Sequence, residues 1–209
     1  MEATFACFRY LMFTETDSDF TVNILSEAQC QLRMLLVGGG GPGMCGANTG
    51  GGGSGVMEYQ TISLTHLVTL VTVSVGESGA STSVTINGES IIAAAGGRGS
   101  TSGGGDGYSG GGGVGGCGGG RDGADGECYN NGSGSGQSVN TFSFDNFVLT
   151  AGDGGEFFYS GVHYHGGGGG GVLINGDGPE GGHAGEGYGG GGGGCDDSNN
   201  GVVIMEITP

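Results

Sequence analysis

Gly166-Gly167-Gly168-Gly169-Gly170-Gly171-Val172-Leu173-Ile174-Asn175-Gly176, then Gly185-Glu186-Gly187-Tyr188 and the run Gly189 to Gly194 ending at Cys195, is the stretch that decides the fold. Glycine in a helix or strand interior costs about 0.5–1 kcal/mol relative to alanine, through the backbone freedom it gives up. Runs of this length therefore belong to no ordinary helix or sheet. Two states remain. Either the runs are disordered linkers, or they lie side by side as helices of polyproline-II type, with three residues per turn and no hydrogen bonds inside a segment. In the packed state each buried N–H and C=O must find its partner on a neighbouring segment. Glycine permits that approach because nothing projects from Cα.

Working outward, the same run recurs at Gly38–Gly41, Gly50–Gly53, Gly103–Gly105, Gly110–Gly113 and Gly118–Gly120, among 58 glycines in 209 residues. Short apolar stretches alternate with these runs, whereas a Gly/Ser linker has no apolar anchors; that favours packing over disorder. Collagen is excluded, since there is no strict third-residue period and the chain has only 3 prolines.

The apolar stretches read as strands and none as a convincing helix, so the expected class is all-β. Residues 3–14 are rich in aromatics and read as a strand covered on both faces. Asp17-Ser18-Asp19 is a turn signal, and Phe20 to Val37 supplies one or two more strands. A hairpin centred between Ser18 and Asp19 would set Cys7 directly opposite Cys30, close enough to bridge. Two organisational units follow: an N-terminal hairpin over 1–32, which is also a candidate donor strand, and a glycine-rich domain over 33–209. Thr61 to Leu64 and Val68 to Val75 alternate at period 2. Ser83 to Ile86, Asn87-Gly88, and Glu89 to Ile92 form the clearest hairpin, because Asn-Gly fits a type I′ turn. Residues 139–164 read as two further strands, and Val202 to Ile207 as the last. Ile86-Asn87-Gly88 and Asp106-Gly107-Tyr108 before Cys117 are echoed by Ile174-Asn175-Gly176 and Glu186-Gly187-Tyr188 before Cys195, which suggests a repeated unit.

A net charge of −17, from 21 acidic residues against Arg9, Arg33, Arg98 and Arg121 with no lysine, argues against nucleic acid and anionic membranes as partners. No apolar run reaches the about 20 residues of a membrane-spanning helix. The 6 cysteines suit disulfides in an oxidising compartment. Beside Cys7 with Cys30, Cys117 and Cys128 flank a short glycine loop, which leaves Cys45 with Cys195; other connectivities stay open.

Gly50-Gly51-Gly52-Gly53-Ser54-Gly55, Thr61 to Thr65 and Val71 to Gly76 resemble the glycine-rich domain of phage tail-fibre tips and of many extracellular proteins. Leu35-Leu36-Val37 before Gly38, and Gly201 to Ile207, fit the beginning and end of that pattern. Ile91 to Gly99, and Gly189 to Gly194 followed by Cys195, are similar to the glycine-rich extracellular region of anaplastic lymphoma kinase and its leukocyte relative. The two likenesses cover roughly 33–207 and rest on composition. They imply a tumour-necrosis-factor-like β-sandwich carrying a bundle of glycine helices, and they supply no catalytic residues.

No glycine stretch is a phosphate loop, since lysine is absent, and no nucleophile elbow appears; neither an enzyme nor a cofactor is expected. His163 and His165 sit two apart on a strand and read as ordinary strand residues rather than metal ligands. Asp122, Asp125 and Glu127, and Asp196 and Asp197 with Asn199, approach calcium-loop density without matching EF-hand spacing, so Ca²⁺ is a weak partner expectation. Asn131 begins an N-glycosylation sequon. The functional expectation is a secreted structural protein whose partner is itself. Phe5, Phe8, Tyr10, Leu11 and Phe13 form an assembly strand, either folded in cis or donated to a neighbour. The alternative is a recognition module, with Tyr108, Tyr129, Tyr159, Tyr164 and Tyr188 as loop anchors.

Overall fold

The computed structural model describes residues 2–4, 9–16, 20–25, 30–46, 49–64, 68–98, 105, 107, 148–151, 158–160, 163–165, 167–181, 185–195 and 197–208, with backbone alone at 2–4, 9, 21–25, 68–69, 151, 158–160 and 163–165. Along these residues the strands are β1 (Glu2–Thr4), β2 (Arg9–Phe13), β3 (Phe20–Leu25), β4 (Cys30–Val37), β5 (Met57–Leu64), β6 (Val68–Ser74) and β7 (Thr82–Ile86). They continue as β8 (Glu89–Ala93), β9 (Leu149–Ala151), β10 (Phe158–Ser160), β11 (His163–His165), β12 (Val172–Ile174) and β13 (Val202–Thr208). No helix occurs among the described residues, and the chain is all-β.

The Asn-Gly hairpin forms as its turn chemistry requires. β7 and β8 pair antiparallel with Ile86 opposite Glu89, and Asn87 and Gly88 take φ of 48° and 94°. Both lie in the left-handed region that a type I′ turn demands. Asn87 also clamps the preceding strand: its N–H donates to Leu70 O at 3.0 Å and its Oδ1 accepts the Leu70 N–H at 3.1 Å. The echo seen in the sequence is structural at this point. Asn175 and Gly176 take φ of 55° and 81°, and Asn175 makes the same two bonds to Val148, at 2.7 and 2.9 Å.

Two larger sheets carry the fold, one ordered β1-β3-β6-β7-β8 and the other β2-β13-β4-β5. Leu32, Met34, Leu36, Val203, Met205 and Ile207 of the four-stranded sheet share one core with Val71, Val73, Val84 and Ile86 of the five-stranded sheet. Period-2 alternation explains the assignment, since these are every second residue of their strands. The opposite residues of β4 and β13 are buried too: Leu35, Val37, Val202 and Ile204 pack with Val172 and Ile174 of β12 and with Tyr188. β13 sits between β2 and β4, and it and β4 are covered on both faces, which is why both read as near-continuous apolar runs.

The N-terminal expectation is corrected. Residues 3–14 are not one strand: β1 pairs in parallel with β3 in one sheet, while β2 pairs with β13 in the other. Nor do residues 1–32 form a hairpin, because β2 and β3 belong to different sheets. Phe13 and Phe20, which a hairpin would hold on neighbouring strands, instead meet from the two sheets with ring centroids 5.2 Å apart, and both pack on the shared core. The reason for expecting Cys7 opposite Cys30 goes with the hairpin; Cys7 itself lies outside the described residues. β2 is also not covered on both faces. Leu11 and Phe13 turn to the core, whereas Tyr10 and Met12 are 53% and 38% exposed.

Candidate functional site

Among the described residues the glycine runs pair with one another, while Gly110–Gly113 and Gly118–Gly120 lie outside them. In residues 38–41 the N–H groups of Gly38 and Gly41 donate to Val56 O and Gly53 O, at 3.0 and 2.8 Å, while Gly39 donates to Ala80 O and Gly40 to Asn199 O. Along residues 52–56, Gly52 and Gly55 donate to Gly192 O and Gly189 O, at 2.7 and 2.8 Å, and Gly53 and Val56 to Gly97 O and Ala94 O, both at 2.9 Å. The direction of bonding repeats every third residue. The segment around Gly52 is central: it bonds to 38–41, 94–97 and 189–192, and it accepts from Gly105 and Gly169.

Spacing between these segments leaves no room for a side chain. A Cβ at Gly52 would fall on the carbonyl of Gly41, one at Gly55 on that of Gly38, and one at Gly191 on that of Gly52. Polar side chains tie the lattice to its surroundings. The Asn199 amide donates to Gly185 O at 2.7 Å and Gly187 O at 3.1 Å. Ser198 Oγ donates to Gly40 O and lies 2.7 Å from Ser78 Oγ. Thr82, fully buried, donates to Val37 O at 2.7 Å and accepts the Gly76 N–H at 3.0 Å. Asn199, weighed above as part of a calcium loop, thus commits its amide nitrogen to glycine carbonyls. Asp122, Asp125, Glu127 and Asp196 lie outside the described residues.

Below the lattice, one row of the four-stranded sheet carries charge. Register places Glu206 opposite Arg33 and Arg33 opposite Thr61. Arg33 Nη1 lies 3.0 Å from Glu206 Oε2, and Glu206 is 2% exposed. Arg33 Nε donates to Tyr59 Oη at 3.1 Å and Thr61 Oγ1 to the same oxygen at 3.3 Å. Burial raises the Tyr59 phenol, but the hydrogen bonds from Thr61 and Arg33, with the guanidinium charge, outweigh it and leave the pKa lowered. The Tyr188 phenol is raised, by burial first and by the Asp177 charge second.

Of the residues singled out from sequence, Phe5, Phe8, Cys7, Cys117, Cys128 and Asn131 lie outside the described residues. Cys30 is buried and disulfide-bonded. Cys45 and Cys195 are exposed thiols in this structure, where a bridge between them was expected. His163 and His165 lie on β11, backbone only. Sequence reasoning read Asn199 only as part of an acidic loop, and missed Ser198, Thr82 and the Arg33–Glu206 pair. For the last a signal existed: one basic and one acidic residue each interrupt an apolar run, Leu32 to Val37 and Val202 to Ile207.

A backbone lattice fused to a two-sheet core defines a glycine-rich domain. The model of the glycine-rich domain family matches residues 14–203, and the chain belongs to that family. No curated protein and no solved structure matches it.

Proposed function

We propose that this protein is a secreted structural component that assembles with copies of itself into an extracellular fibre or matrix, through exchange of the strand β2. The observation that supports this reading is the position of β2. Among the described residues it is the end strand of its sheet and pairs with β13, from Val203 opposite Phe13 to Ile207 opposite Arg9. Leu11 and Phe13 pack on the core shared by the two sheets, and a second copy offers the same two side chains with the same backbone pattern. Swapping identical elements asks for no new interface, and head-to-tail exchange that does not close gives a filament. The acidic surface suits a hydrated matrix. The finer likeness to phage-tip and receptor glycine-rich regions belongs to the same extracellular reading.

The test is negative-stain electron microscopy of the full chain, of a chain lacking residues 1–14, and of that truncated chain mixed with a peptide of residues 1–16. Expected are filaments from the full chain and their loss on truncation, with discrete particles when the peptide takes the vacated place beside β13. A full chain that stays monodisperse at high concentration would overturn the assembly reading and turn attention to the loops as a recognition surface.

A further inference from the structure

Cys45 and Cys195 close one end of the glycine lattice together. Gly192 N–H donates to Gly41 O at 2.9 Å and, three residues further along both segments, Cys195 N–H donates to Met44 O at 3.3 Å. The two segments therefore run parallel and in register until each reaches its cysteine. The accepting carbonyl belongs to the peptide that leads into Cys45. One hydrogen bond and a few covalent bonds thus separate the two Cα atoms and set the two cysteines on neighbouring backbones, the arrangement a disulfide requires. Both cysteines are exposed thiols. Cys195 has a φ of 64°, in the left-handed region where glycine is at ease and a side chain is strained. It directly follows six glycines, so this position carries a sulfur where the local pattern supplies the residue best suited to the backbone.

We propose that Cys45 and Cys195 form a redox site, a thiol pair that oxidises to a disulfide across the end of the lattice. The oxidant is a small disulfide such as oxidised glutathione. The thiolate of one cysteine attacks it, forming a mixed disulfide and releasing one small thiolate. The second cysteine's thiolate then attacks the protein sulfur of that mixed disulfide, forming the Cys45–Cys195 bond and releasing the second small thiolate. The two protons lost by the protein are taken up by the two leaving thiolates. Two electrons pass from the thiol pair to the oxidant. The bond locks two parallel segments and ties chain positions far apart in sequence, which restricts the unfolded state most.

The test treats the full chain with oxidised glutathione, blocks remaining thiols with N-ethylmaleimide, digests without reduction and maps the peptides by mass spectrometry. Expected are a linked peptide joining Cys45 to Cys195, a mass lower by two hydrogens than the dithiol form, and a monomer band on a non-reducing gel. The oxidised chain should melt about 4–15 °C above the Cys45→Ser/Cys195→Ser variant. Cys45→Ser alone should leave Cys195 open to the blocking reagent and form no internal link. Both thiols remaining fully blockable after oxidation, or links formed only between copies, would overturn the proposal.

Discussion

Gly52→Ala is expected to destabilise the protein by about 3–5 kcal/mol, a large share of the 5–15 kcal/mol that holds a typical domain. Its methyl would land on the backbone carbonyl of Gly41. That carbonyl cannot yield cheaply: it accepts Gly192 N–H at 2.9 Å, while the Gly41 N–H is bonded to Gly53 O at 2.8 Å. Any shift also loosens Gly52's own bonds to Gly192 and Gly169, each worth about 1 kcal/mol net. Gly88→Ala is the control. Gly88 has a φ of 94° with nothing within 4 Å of where a Cβ would stand, so only backbone strain of about 1–2 kcal/mol applies. Urea denaturation of both variants reads the difference directly. Equal, small losses would mean that the glycines are chosen for freedom of the chain and not for close approach.

Arg33→Met should cost about 3–5 kcal/mol, because Glu206, almost wholly buried, loses the guanidinium 3.0 Å from its carboxylate. The pair itself adds little net stability by the same reasoning, since both charges left water to meet. Arg33→Met combined with Glu206→Leu should therefore recover most of the loss, apolar residues of similar volume being near-neutral replacements for a buried ion pair. Tyr59 reports the change independently. With the Arg33 hydrogen bond and charge gone, its phenol should titrate at higher pH than in the parent chain, followed by ultraviolet absorbance. A double variant no better than the single would place the value of Arg33 in its packing.

What could be read from the sequence divides by range. Asn87-Gly88 names its own turn, because two consecutive left-handed residues between strands leave few alternatives. The glycine runs announced backbone contact for the reason that now appears in space: a Cβ at Gly38, Gly41, Gly52, Gly168 or Gly191 would meet a carbonyl of another segment. Partners for β2 were not legible. Alternation in Tyr10-Leu11-Met12-Phe13 says which residues face a core, but Phe13 and Phe20 face it equally well from one sheet or from two. A turn signal at Asp17 to Asp19 marks a reversal or a crossing alike. Ser198 and Asn199 were hidden by their company, since Asp196-Asp197-Ser198-Asn199-Asn200 has the composition of a solvated loop. Their place against Gly40, Gly185 and Gly187 comes from the lattice they close.

The account turns on the glycine runs being a bonded lattice, and amide hydrogen exchange of the native full chain, resolved by residue, tests that most directly. The N–H groups of Gly41, Gly52, Gly53 and Gly192 all donate to other segments. They should exchange at least about a thousandfold more slowly than in an unstructured chain, opening together with the amides of β4 and β13. Exchange of those glycines at unstructured rates, while β4 and β13 stay protected, would make the runs linkers and contradict the account.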